Sequence, residues 1–250
     1  MKEIVVEICC GSYYDAVQAW KGGARRIELN SALMLGGLTP GTATLKLIKQ
    51  NLPDLKVIAM VRPRGAGFCY TKEEFQVMEA ECLELLTAGV DGIAFGCLKE
   101  DGTLDLEKNQ RMISVIKSYQ KEAVFHRAFD VVPDPFVTME MLISLGVDRV
   151  LTSGQQEKAV DGVGMIQKLQ DIYGDRIEIL AGSGVNSSNA KALIEMTGIS
   201  QIHSSCKDWV LDPTTKGNGV SYSIADGEQE LKYDVVSEKL VKNLIASLGI

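Results

Sequence analysis

The stretch VFHRAFD, residues 124–130, sets a histidine, an arginine and an aspartate within five positions at the end of an apolar run. The chain has only two histidines, His126 and His203, so neither is one of many scattered surface imidazoles. Other chemistry-bearing residues close apolar runs in the same way: Glu7 and Cys9 in IVVEIC, Glu28 and Asn30 in RIELN, Arg62 and Arg64 in VRPR, Thr152 and Ser153 in VLTSG, and Ser204 in IHSS. A carboxylate, an arginine and an imidazole gathered at one place can abstract a proton, stabilise an anion and return the proton, the minimum for general acid-base catalysis. Glu7, Glu28, Arg62, Arg64, His126 and Asp130 are the candidates for that work. The competing reading is a buried ion-pair layer, in which two glutamates balance two arginines and avoid the cost of unpaired burial. Asp130 either orients His126 or caps the helix that begins near Pro133.

A second candidate set binds rather than reacts. AGSGV presents backbone N–H groups at a glycine turn just before a helix, a place suited to phosphate or another anion. Thr152, Ser153, Gly182, Ser183, Gly184, His203 and Ser204 form this ligand-binding set, although a tight turn alone also accounts for Gly182 and Gly184.

These residues acquire meaning from the elements that must position them. One phrase recurs along the chain: GGARRIEL (22–29), AGVDGIAF (88–95), LGVDRVLTSG (145–154) and TGISQIHSS (197–205). Each is a helix stop closed by glycine, followed by a short branched run of the kind a buried strand uses. IVVEIC (4–9), KVIAMV (56–61), EAVFH (122–126) and RIEILA (176–181) supply four more strands, with helical spacing between all of them up to YDVVSEKLVKNLIASL (233–248). Eight strand-helix units predict an α/β chain folded over residues 1–250 as a single (β/α)8 TIM barrel, with a doubly wound open sheet as the alternative. No early G-x-G-x-x-G supports the open sheet, and no Pro- or Ser-rich linker divides the chain. Residues 206–232 read as a long loop leaving the carboxyl end of strand eight, where it is placed to cover the mouth, before the terminal helix at 233–248.

Active sites of such barrels lie at the carboxyl ends of the strands. Side chains alternate between the barrel interior and the helix layer, so Glu7 shares a face with Cys9, Glu28 with Asn30, and Arg62 with Met60. Cys10 must then turn away from Cys9, and the CC pair cannot chelate one ion. Arg127 likewise turns away from His126, towards acidic residues of the helices. The expected result is a ring in which His126 faces Glu7, Glu28, Arg62 and His203 from other strands.

The balance of composition narrows the partners. A net charge of −7 leaves no basic stripe for a phosphate backbone, so no nucleic acid is expected and small molecules or proteins are. Nowhere do 18 apolar residues run together, and Met1–Ile4 lead straight into a strand pattern. No membrane contact and a cytoplasmic location are the corresponding expectations. Six cysteines without a C-x-x-C pair read as reduced thiols rather than a disulfide scaffold. A homo-oligomer built through the outer helices is compatible with this sequence.

The strings IELNSALMLGGLTP, RPRGAGFCYT, FHRAFD, RVLTSG, AGSGV and HSS, in this order, resemble the CutC copper homeostasis family from about Glu3 to Lys207, together with the terminal helix. The resemblance implies a TIM barrel and a cytosolic protein of copper tolerance or trafficking that binds Cu(I). It also implies thiol ligands at the ends of strands one and two, at positions matching Cys9 and Asn30, so the second thiol is replaced here by an amide. Met34, Met60 and His126 are the candidates to replace it. AGSGV departs from the run of glycines typical of the family, leaving Ser183 at the anion turn.

Overall fold

The protein, described over residues 3–250 by a computed structural model, closes eight parallel strands into a barrel in sequence order. The strands are β1 (Val5–Cys10), β2 (Arg26–Leu29), β3 (Lys56–Met60), β4 (Gly92–Phe95), β5 (Glu122–Phe125), β6 (Arg149–Thr152), β7 (Glu178–Ala181) and β8 (Gln201–Ser204). The first seven are followed in turn by α1 (Tyr13–Lys21), α2 (Thr42–Asn51), α3 (Lys72–Thr87), α4 (Leu106–Ser118), α5 (Pro135–Leu145), α6 (Val163–Tyr173) and α7 (Ala190–Thr197). The open-sheet alternative is excluded, because β1 pairs with both β2 and β8 and leaves no edge.

Local chemistry explains the helix boundaries. Thr71 and Glu74 form a reciprocal capping box at the start of α3, and Asp105 accepts the Lys108 N–H at the start of α4. Asp134, followed by Pro135, caps α5, so the capping role considered for Asp130 falls to its neighbour four residues on. Gly146 and Gly198, at φ of 82° and 72°, close α5 and α7 in the left-handed conformation that the recurring phrase requires.

The region after β8 differs from a plain loop. β9 (Lys207–Leu211) and β12 (Lys232–Val236) form an antiparallel ribbon, with a small hairpin of β10 (Lys216–Gly217) and β11 (Val220–Ser221) between them. The last helix, α8 (Glu238–Leu248), therefore begins five residues later than the pattern at 233 suggests. Its missing start is strand, tied to the barrel because the Val236 N–H donates to Asp15 Oδ1. Among the described residues no helix is long and apolar enough to cross a membrane.

The large apolar core lies between strands and helices, whereas Ile58, Met60, Ala94 and Val124 form a small separate apolar cluster within the barrel. At the amino end of the strands the barrel is filled instead by a closed ionic network. Arg26 pairs with Glu7 (Nε to Oε2, 2.7 Å) and donates to Gln201 (2.7 Å). Arg149, 2 % exposed, donates to the same Gln201 oxygen and pairs with Glu178 and Glu122 at 2.7 and 3.2 Å. Each of these two guanidiniums thus meets at least one carboxylate, the condition under which burying charge is tolerable.

Candidate functional site

Alternation delivers the predicted inward ring at the carboxyl ends, but its partners are not those expected from pairing two glutamates with two arginines. Glu7 sits at the base: one oxygen meets Arg26, and the other lies 2.9 Å from Nδ1 of His203 on the adjoining strand. Burial alone would push the Glu7 carboxyl up, but the Arg26 guanidinium and the His203 contact outweigh it and bring its pKa down to about 2. Burial likewise works against a charged His203, yet its contacts with Cys9 and Glu7 carry its pKa well above the ordinary histidine value. The two form a buried carboxylate-imidazolium pair.

With Nδ1 engaged, His203 turns Nε2 towards Glu28, 4.0 Å from Oε2. Cys9 Sγ lies 3.9 Å from the same oxygen. The ligand atoms of Cys9, Glu28 and His203 all fall within 4.8 Å of one another. Burial pushes the Cys9 thiol up, and it also pushes up the Glu28 carboxyl despite the attraction of His203. Asn30 is a donor rather than a ligand here: its Nδ2 reaches Glu28 Oε2 at 2.9 Å and Cys9 Sγ at 3.6 Å. A Cβ on Gly37 would lie 2.4 Å from Asn30 Oδ1, so the LMLGG turn has to be bare where it wraps this amide.

The opposite wall is built by β3 and β5. Arg62, 6 % exposed, donates through Nη1 to the carbonyls of Leu35 and Gly37 and through Nη2 to that of Ala66. Its guanidinium stands over Phe68 at 5.1 Å, and the His126 ring lies 4.9 Å from the same phenyl ring. A Cβ at Gly96 would meet His126 Cε1 at 2.7 Å, so the glycine after β4 makes room for the imidazole. Burial, reinforced by Arg62, lowers the His126 pKa to about 3 and keeps the ring neutral.

Several predicted residues lie elsewhere. Arg64 turns outward, held by Glu74 (Nε to Oε1, 2.5 Å) and the Cys69 carbonyl, where it braces the turn before α3. Asp130 does not touch His126. Its carboxylate accepts from Arg127 Nε, Thr152 Oγ1, the hydroxyl and N–H of Ser153, and the Gln155 N–H. That network consumes Thr152 and Ser153 as loop-holding groups, and Arg127 pairs with Asp130 rather than with a helix. Ser183, Gly184, Ser204 and Ser205 reach the mouth, whereas Gly182 packs against Leu151 and His203. Ser183 itself adopts φ of 78°, with its hydroxyl donated to the Glu157 carbonyl.

The mouth encloses about 420 Å³, and Cys9, Glu28, Asn30, Arg62, His126 and His203 line it. Lys207, Trp209 and Ile224 of the extension also line it. Sequence reasoning passed over Arg26, Arg149 and Gln201, although each precedes an inward residue by two positions and the same alternation selects them. Phe68 and Trp209 carried no such signal, since both lie outside the barrel strands.

A (β/α)8 barrel with a thiol, a carboxylate and an imidazole converging at its carboxyl-end mouth defines the class. Residues 4–208 match the model of the CutC family, ending where the antiparallel extension begins. A CutC family protein of Treponema denticola is 49% identical over 222 residues, 89% of either chain. The copper homeostasis protein cutC homolog of Mus musculus is 36% identical over 97% of this chain and 89% of its own. The crystal structure of CutC from Streptococcus agalactiae matches with a TM-score of 0.76 at 30% identity, covering 81% of this chain and 98% of that one. The chain belongs to the CutC family.

Proposed function

We propose that the mouth binds copper as Cu(I) through Cys9 Sγ and His203 Nε2, with Glu28 as a third donor. The observation that carries this reading is the convergence of the three ligand atoms within 4.8 Å. Cu(I) is soft and favours thiolate, and imidazole is a suitable second donor. His203 thereby takes the place of the second thiol implied by the family resemblance, while Asn30 donates to both anionic ligands. Glu7 on Nδ1 fixes the orientation of the ring, as outer carboxylates do for metal-bound histidines. The names of the mouse and human relatives, copper homeostasis protein cutC homolog, agree with this cargo. A reducing compartment such as the cytosol suits the site, because Cys9 must stay a thiol to load the ion.

Anaerobic titration of chelator-stripped protein with Cu(I), under a competing chelator, tests the proposal. Sub-micromolar affinity is expected, with a loss of at least about a hundredfold in Cys9→Ser, a change that removes the soft ligand. An affinity unchanged in Cys9→Ser removes Cys9 as ligand. A thiol, imidazole and carboxylate also suit Zn²⁺, so tighter retention of Zn²⁺ under matched conditions would reassign the metal.

A second reading, an acid-base enzyme acting on a small anionic metabolite, is favoured by one observation. The imidazolium of His203 beside Glu28 is an acid-base couple on the wall of a cavity of about 420 Å³, far more room than a single ion needs. A metabolite screen by thermal shift separates the readings: a ligand that stabilises the wild type and not Glu28→Gln supports the enzyme.

A further inference from the structure

The two walls of the mouth differ in how their charges are met. On the wall formed by β1, β2 and β8, Glu7 is matched by Arg26 and His203, and Glu28 accepts from Asn30. The other acids lining the cavity are also engaged. Asp15 accepts the N–H groups of Gly11 and Val236, and Asp234 lies 3.5 Å from Lys207. Arg62 has no such counterpart. It is almost wholly buried, meets neutral backbone carbonyls, and among the described residues no carboxylate oxygen lies within 4.0 Å of it. An interior cation without an anion is costly, and proteins retain one where a ligand completes it.

His126 supplies the independent second observation. Its Nδ1 accepts the Ala128 N–H at 3.2 Å, so in the neutral ring the proton resides on Nε2. That Nε2 is buried and has no partner in the structure, while the residue is 2 % exposed and lines the cavity. A buried donor left unpaired forfeits roughly 1–3 kcal/mol, so it marks a place where an acceptor belongs. Phe68, in contact with both Arg62 and His126, and Trp209 across the opening provide apolar surface for a carbon skeleton. The volume, about 420 Å³, lies in the range of small-molecule sites and well beyond that of one ion.

The geometry points to a second ligand site on the β3/β5 wall, where Arg62 and the Nε2–H of His126 hold the oxyanion, carboxylate or phosphate, of a small organic molecule. The site is separate from the Cys9–Glu28–His203 wall, so it stands whether that wall holds copper or moves protons. Arg62 supplies the charge, the His126 N–H the direction, and Phe68 the apolar contact.

Isothermal titration of chelator-stripped protein with inorganic phosphate and, separately, with citrate tests the proposal and distinguishes the two oxyanion classes. At least one probe should bind with a dissociation constant below about 10 mM. His126→Phe keeps the ring packed on Phe68 and deletes the donor, so binding should weaken roughly tenfold, the worth of one hydrogen bond to a charged group. Cys9→Ser should leave anion binding unchanged while weakening Cu(I) binding at least about a hundredfold, and His126→Phe should weaken anion binding while leaving Cu(I) binding unchanged. Because Arg62→Met risks misfolding, Arg62→Lys serves as a second variant: it retains the charge, loses the planar fork, and should bind more weakly than wild type. Neither probe binding, or equal binding in wild type and His126→Phe, overturns the site. Loss of anion binding in Cys9→Ser would merge it with the metal wall and overturn it equally.

Discussion

The two ends of the barrel bury charge in opposite ways. At the amino end Arg26 meets Glu7, Arg149 meets Glu122 and Glu178, and both share the Gln201 oxygen, so the charges of that layer are matched by carboxylates of the fold itself. At the carboxyl end, among the described residues, the Arg62 charge has no carboxylate, a histidine nitrogen has no acceptor, and the ligand atoms of a thiol, a carboxylate and an imidazole converge within 4.8 Å. The first arrangement is what holding a fold demands. The second retains unpaired groups that a purely structural core would exchange for apolar ones. Glu7 belongs to both, with one oxygen on Arg26 and the other on His203.

The comparison is broken most severely at Glu7. Glu7→Gln leaves Arg26 and His203 short of an anion and should cost about 3–5 kcal/mol in urea unfolding, the usual penalty for halving a buried pair. The pH dependence has the same origin. The Glu7 pKa is lowered from 4.5 to about 2, so its stabilisation is complete above about 4.5 and is lost as pH falls towards 2. The His203 pKa is raised, so its contribution is present below the ordinary histidine value and disappears only as pH climbs through the elevated one. Urea midpoints should therefore fall between pH 5 and 3 in the wild type and much less steeply in Glu7→Gln.

Next in size is the effect of pH on metal loading. Cys9 and His203 both have raised pKa values, so each must surrender a proton to the solvent before it can ligate. Cu(I) affinity should rise roughly ten- to a hundredfold per pH unit through neutrality, one factor of ten for each proton released. A flat profile between pH 6 and 8 would exclude both as ligands. Asn30→Ala should weaken Cu(I) binding about tenfold, by removing the donor shared by Cys9 and Glu28, while barely moving the unfolding midpoint. A smaller effect sharpens the contrast between the ends: His126→Phe should cost only about 1–2 kcal/mol of stability, because the Nε2–H it deletes is unsatisfied in the fold and the loss is confined to the Nδ1 contact with the Ala128 N–H. A loss comparable to that of Glu7→Gln would place His126 with the structural layer instead.

Much of this architecture was legible locally. The recurring glycine-closed helix followed by a branched strand marked the barrel, and period-two alternation placed Cys9, Glu28, Asn30, Arg62, His126 and His203 at one mouth. The errors fall where alternation stops. Arg64 and Asp130 lie further past the ends of β3 (Met60) and β5 (Phe125) than Arg62 and His126 do, in backbone that turns to meet Glu74 in one case and Thr152 and Ser153 in the other. The segment at 206–232 looked like a loop because its strands are short and largely exposed, and its ribbon depends on pairing partners 21 to 29 residues apart.

By itself the sequence determined which residues form the eight barrel strands and the helices between them, which face a side chain takes along those strands, and that charged residues enter the barrel interior, because propensity and alternation are properties of neighbouring residues. Only the tertiary structure decided who pairs with whom. His203 meets Glu7 across 196 positions, and Arg26 meets Gln201 across 175. Those partnerships depend on the register with which β8 closes against β1. A ring of inward residues is thereby resolved into a charge-matched ionic layer at one end and, at the other, a mouth whose convergent thiol, carboxylate and imidazole and whose unpaired cation lie on separate walls.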